Sequence, residues 1–160
     1  MKKIDYTNYQ KPSDFMKFSA GDNKIRIISD GLLARFHGTR MRGKYVPLGL
    51  CTEDGSCPHC KGGNEPKRVW RWIALDYTNK EVKLLDAGPM IGNQICEKAA
   101  ELGQDPQEFD LIINKQGQGL KTQYEVKVAP DGVAIKPEHL DRMKPMRNFL
   151  IKKYFQVAQQ

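Results

Sequence analysis

The chain has 160 residues, of which 39% are hydrophobic and 28% charged, and 26 Lys and Arg against 19 Asp and Glu leave a net charge of +7. That length supports one domain with room for an inserted subdomain, burying about 70% of the unfolded surface. No apolar run approaches the ~20 residues of a membrane-spanning helix, and the excess of positive charge favours a polyanionic partner such as nucleic acid.

The start, MKKIDYTNYQKPSDF, has two lysines but no apolar stretch behind them, so it is not read as a signal peptide, and the protein is expected in a reducing cytoplasm. Residues 1–20 read as an arm or edge segment. Lys24 to Ser29 (KIRIIS) alternates as a half-buried strand with a basic outer side. Asp30-Gly31 is a turn signal, and Leu32 to Arg40 then reads as the strand returning in a hairpin. From Gly43 to Pro66, Gly, Pro, Cys and small polar residues dominate and no period persists. So long a loop needs something to hold it.

Lys67 to Tyr77 and Lys80 to Asp86 form a second predicted hairpin around Thr78-Asn79. A helix follows, with Pro89 in its first turn, Ile91, Ile95, Ala99 and Leu102 on one face, and Gly103 closing it. Cys96 lies off that stripe and reads as a small packing residue. Phe109 to Asn114 and Leu120 to Ala129 make a third hairpin across QGQG. Residues 136–160 read as helical but broken by Pro145 into two short segments. The expected fold is mainly β: an OB-fold-like barrel of five to six strands over residues 21–135, with an inserted metal-binding loop at 43–66, one inter-strand helix and a C-terminal helix.

Cys51, Cys57 and Cys60 fall within ten residues, and Cys57-Pro58-His59-Cys60 is a CxxC knuckle. Structural zinc takes four N or S ligands, so one more is needed. His37 and His59 are the options; the middle residues of a CxxC turn usually point outward, which favours His37. Disulfides do not suit a reducing compartment. A redox CxxC normally opens a helix, whereas Lys61-Gly62-Gly63-Asn64 reads as loop. A catalytic zinc would need a neighbouring acid or base motif, which Glu53, Asp54 and Glu65 do not form. One structural Zn2+ is therefore expected.

Single strands are bound by cations along the backbone and aromatic rings under the bases. Lys67, Arg68, Trp70 and Trp72 interleave the two types on one strand, with Tyr77 at its end. Arg35, Arg40, Arg42, Lys44 and Tyr45 form a second patch, and Lys115, Lys121 and Tyr124 a third.

The run GDNKIRIIS, a His on the next strand, Cys51, the Cys57–Cys60 knuckle, then Pro66-Lys67-Arg68 and a Trp-rich strand resemble phage single-stranded DNA-binding proteins of the T-even helix-destabilising type. The resemblance spans about residues 21–128. It implies an OB-fold, a zinc site of His37, Cys51, Cys57 and Cys60, and DNA held in a basic, aromatic cleft between them. Lys152-Lys153-Tyr154-Phe155-Gln156, near the end of the sequence, has no acidic residue after it, unlike the acidic tail common in such proteins, and the cysteine spacing is tighter.

The function so implied is non-catalytic, sequence-independent binding of single-stranded DNA in replication, recombination and repair. Cooperative self-association through Lys2, Lys3 and Tyr6 and contacts with replication or recombination proteins go with it; a membrane partner does not. Two competing readings are a zinc-ribbon regulator or adaptor for protein or duplex DNA, and a nuclease. The predicted inter-strand helix carries only Lys98 as a base, and no acidic cluster could hold two magnesium ions.

Overall fold

A computed structural model describes residues 13–130, 135 and 137–155. Seven strands form one antiparallel sheet that does not close on itself. In chain order they are β1 (Gly21–Ile27), β2 (Leu32–Met41), β3 (Lys44–Leu50), β4 (Lys67–Asp76), β5 (Glu81–Ala87), β6 (Asp110–Gln116) and β7 (Gln123–Val128). The helices are α1 (Pro58–Lys61), α2 (Pro89–Leu102) and α3 (Pro137–Tyr154). The sheet runs β3-β2-β4-β1-β6-β7, with β5 on the other edge of β4.

The first expected hairpin is not there. β1 and β2 do not pair with each other; both lie along the same edge of β4, with Ile27 opposite Ala74 and Leu32 opposite Arg71. Between them the pairing continues in altered form, since Ile28 N donates to Ile73 O (2.9 Å) and Ile73 N donates to Ser29 Oγ (2.8 Å). Asp30-Gly31 therefore marks a break in one long strand and not a reversal. The return comes later, at Arg42-Gly43, both with positive φ (52° and 77°). This makes Lys44–Leu50 a paired strand where irregular loop was expected, because β2 offers it a free edge.

Alternation along β4 divides the core. Trp70, Trp72 and Ala74 face α2 together with Ile25, Ile27, Leu85, Leu111 and Ile113. Ile73 faces the other way and packs with Ile28, Leu84 and Leu150 under α3. α2 starts and stops as its sequence demands: Pro89 takes the first turn, and Gly103 ends it at φ 61°. Ile91 and Ile95 are buried, but Leu102 and Cys96 are exposed.

α2 also covers the free edge of β7. Gln94 Nε2 donates to Tyr124 O, and its Oε1 accepts from Val126 N, both at 2.9 Å. One side-chain amide thus stands in for a neighbouring strand, which satisfies an edge that would otherwise recruit another chain. Residues 14–16 strap the outer edge of β5, with Met16 N to Leu84 O and Leu84 N to Asp14 O at 2.8 Å.

α3 is one helix and not two. Pro145 lies inside it and forfeits one backbone hydrogen bond. Packing of Met143, Leu150, Ile151 and Tyr154 against the sheet offsets that loss, which local propensity does not register. On the same side of the sheet, buried Arg26 donates Nε to Asp110 Oδ1 at 2.6 Å, and the Tyr77 hydroxyl donates to the same oxygen at 2.7 Å. No helix among the described residues is long and apolar enough to cross a membrane.

α2 lies close against β4 at Gly92, where an added Cβ would meet Trp70 Cδ2 and Cε3 at 2.5 Å. Ala at an exposed helix site would gain about 1 kcal/mol in propensity over Gly. Here it would drive α2 off a buried indole, at a cost of about 1–3 kcal/mol for overpacking. Gly92→Ala is expected to lower the thermal midpoint by roughly 2–12 °C, at about 2–4 °C per kcal/mol for this chain size. An unchanged or raised midpoint in a calorimetric scan would contradict this packing.

Candidate metal centre and cationic hairpin

β2 carries His37 to the edge of the sheet, and the pairing register shifts between His37 and Gly38. The His37 ring is fully buried there. β3 then delivers Cys51, whose backbone N still donates to Arg35 O on β2 (2.9 Å). The knuckle delivers the other two thiols from a single helical turn, α1, where the sequence suggested plain loop. Lys61 N donates to Cys57 O and Gly62 N to Pro58 O within that turn.

The four side chains converge. His37 Nε2 is 3.3 Å from Cys57 Sγ and 3.4 Å from Cys60 Sγ, and Cys51 Sγ is 3.5 Å from Cys60 Sγ. All four ligand atoms lie within 4.8 Å of one another. A tetrahedron with Zn–S of ~2.3 Å and Zn–N of ~2.0 Å has edges of about 3.4–3.8 Å, so the set can hold one cation of that kind. His59 is outside this group; its ring lies 5.3 Å from that of His37, centroid to centroid. The choice between the two histidines is decided for His37.

The protonation of His37 follows from its neighbour. Asn64 Nδ2 donates to Gly38 O at 2.9 Å, and a carbonyl can only accept, so the amide orientation is fixed. Asn64 Oδ1 therefore faces His37 Nδ1 at 2.7 Å and takes its proton. That leaves the Nε2 lone pair free for a cation, the arrangement in which an outer partner orients a metal-binding imidazole. Asn64 was not singled out from the sequence. Its only local signal is a side chain able both to donate and to accept, placed just after the turn of a CxxC.

The thiols differ in how readily they ionise. The backbone N–H of Cys60 is the main influence holding the Cys57 thiol down to about 6. Hydrogen bonding with Cys51, and then burial, pushes Cys60 up to about 11. A second and third thiolate in one cluster become progressively harder to form unless a cation neutralises them.

Around this centre lies a cationic surface. Arg40, Arg42, Lys44, Lys61, Lys67 and Arg68 are exposed and form no ion pair among the described residues. Arg35 stands directly opposite Arg68 across β2 and β4 and reaches Glu53 of the metal loop at 3.2 Å. Tyr45 stands opposite Arg40 and is 52% exposed.

The remaining sequence-predicted DNA contacts are placed elsewhere. Trp70 and Trp72 are 9% and 5% exposed, packed in the core beneath α2. This corrects the expectation that they stack on bases: neither indole offers an open face. The alternation putting both on one side of β4 is as read; what alternation does not show is that the helix after β5 covers that side. Tyr77 is committed to Asp110, with burial first and that hydrogen bond second pushing its hydroxyl up to about 12. Lys115 and Tyr124 line a separate cleft of about 510 Å3 with Lys17 and Phe18, where Lys115 Nζ donates to Phe18 O (3.3 Å). Lys121 is exposed in the turn between β6 and β7. Lys2, Lys3 and Tyr6 lie outside the described residues.

No family model matches the chain, and neither a curated protein nor a solved structure matches it. What the site can do is therefore argued from its own geometry. It can hold one cation on one nitrogen and three sulfurs, and it presents a ring flanked by cations beside that cation.

Proposed function

We propose that this protein binds single-stranded DNA, without catalysis and with little sequence preference, on the β2–β3 hairpin and the face of the metal knuckle. The observation that carries the reading is the set of six exposed cations on the β2–β3 hairpin, the knuckle and the start of β4, without ion-pair partners among the described residues, together with the exposed ring of Tyr45 opposite Arg40. Here residues 35–68 hold seven Lys and Arg against Glu53, Asp54 and Glu65. Such a surface attracts phosphates and releases their counterions, while an aromatic face stacks on any base. The biological role we assign is protection of strands exposed in replication, recombination and repair.

We read the cation as one structural zinc. All four ligands are nitrogen or sulfur, the set leaves no fifth protein donor, and an N/S tetrahedron suits zinc. Bound there, zinc would supply folding energy and fix β3 against β2. We read the sheet as a partly open OB-fold: β1 and β2 as one bent first strand, then β4, β5, α2, β6 and β7, with β3 and the knuckle inserted. A duplex-reading role is less well supported, since α2 presents Lys98 paired at 3.6 Å with Glu101 in place of a basic recognition face.

Because both tryptophans are buried, the test uses labelled DNA and not intrinsic emission. Fluorescence anisotropy with a labelled (dT)30 and with a 30-base-pair duplex, each over a range of salt, should show the single strand bound at least tenfold more tightly. Its affinity should fall log-linearly with salt. Equal affinity for the duplex, or binding indifferent to salt, would sink the reading.

A further inference from the structure

Alternation along β2 sets two consecutive residues to different tasks, at the point where Leu48 of β3 is left without a partner and the register shifts by one. His37 is buried with Nε2 toward the thiols, while Gly38 lies beneath Tyr45. A Cβ on Gly38 would come within 2.2 Å of Tyr45 Cε2 and Oη, so only glycine lets the hydroxyl end of that ring rest on the β2 backbone. The ring is still 52% exposed. One side chain holds both residues: Asn64 accepts from His37 Nδ1 (2.7 Å) and donates to Gly38 O (2.9 Å). Asn64 is itself carried by the knuckle, its backbone N donating to His59 O at 3.0 Å.

We infer that Asn64 is a positioning residue that couples the metal centre to the Tyr45 surface. A cation on His37 Nε2 holds the imidazole with Nδ1–H toward Asn64. The amide, so fixed, holds the Gly38 carbonyl and with it the β2 backbone facing the register shift, and that backbone is the seat on which Tyr45 lies. Occupancy of the metal site then controls how well Tyr45 is presented to a base. Only this last step rests on the nucleic-acid reading. The ion pair between loop and sheet, Arg35 to Glu53, joins two half-exposed side chains in solvent and is weak by comparison.

Asn64→Asp separates the two arms. The carboxylate still accepts from His37 Nδ1, so the metal is retained, but it cannot donate to Gly38 O. The test follows the Tyr45 ring resonances by NMR in the full chain, zinc-loaded and after chelation, alongside zinc content and (dT)30 affinity. In the wild type, chelation should shift the Tyr45 signals and lower affinity about tenfold. Asn64→Asp should keep about one zinc per chain, yet its Tyr45 signals should be displaced already and shift little on chelation. Its affinity should change less than twofold on chelation, a comparison within one variant that cancels the added negative charge. Tyr45 signals that do not respond to the metal in the wild type would overturn the coupling. So would signals that respond equally in Asn64→Asp. Absence of (dT)30 binding by the wild type would defeat the nucleic-acid reading and leave the Tyr45 shift to decide the coupling alone.

Discussion

Replacing Cys57 by Ser, or stripping the metal with a chelator, is expected to lower the thermal midpoint by about 10–15 °C and to release the stretch from β3 to Asn64. Between Lys44 and Pro66, Cys57 is the one fully buried residue, so this stretch has no apolar core of its own. Its order rests on pairing with β2 and on the four convergent ligands. Structural zinc can contribute on the order of 10 kcal/mol to a peptide that folds only with it. Here the two core clusters of the sheet lie outside this stretch, so we assign about 4 kcal/mol, which at about 3 °C per kcal/mol gives the stated shift. Calorimetry, zinc content and amide exchange across 44–66 measure it together. A Cys57→Ser protein with one zinc per chain and an unchanged midpoint would refute the four-ligand site.

The second large effect concerns the charge. Neutralising Arg40, Arg42 and Arg68 together to Gln should weaken (dT)30 binding by about 100-fold near 0.1 M salt. It should also flatten the log–log salt dependence by about 2, since each phosphate contact on a single strand contributes about 0.7 to the slope. None of the three has an ion-pair partner among the described residues, so their loss leaves no carboxylate stranded and the fold should hold. Tyr45→Ala should behave differently, weakening binding by about 1–3 kcal/mol through lost stacking while leaving the salt slope unchanged. If the triple variant and Tyr45→Ala changed slope and affinity alike, or if neither changed them, the hairpin would not be the binding surface.

These two predictions draw on different kinds of legibility. The metal ligands could be named from spacing and ligand chemistry, because a CxxC turn and a third nearby cysteine need a nitrogen within chain reach. The cationic hairpin could be named from composition. Its exposed members, Arg40, Arg42, Lys44 and Tyr45, stayed exposed because no later element folds over them. The tryptophans of β4 went the other way. Alternation identifies a face but not what covers it, and α2, which begins only at Pro89 after the whole of β5, buries that face against Gly92.

Other differences have the same origin in non-local pairing. Asp30-Gly31 permits either a hairpin or a kink. Only the free edge of β4, with Ser29 Oγ taking the place of a backbone acceptor, selects the kink. Pro145 costs α3 one hydrogen bond in any setting, and only the sheet beneath Leu150 makes the continuous helix worthwhile.

The metal centre shows where the division lies. The sequence by itself determined that three thiols and a histidine within 24 residues would seek one cation, because ligand identity and short loops are local properties. It left His37 and His59 both available. The tertiary structure brings His37, and not His59, to the thiols, through the pairing of β2 with β3 and an Asn64 amide whose orientation is dictated by the Gly38 carbonyl. A strand's register and a side-chain amide's partners are set by what the rest of the chain brings beside them, and no local pattern encodes that.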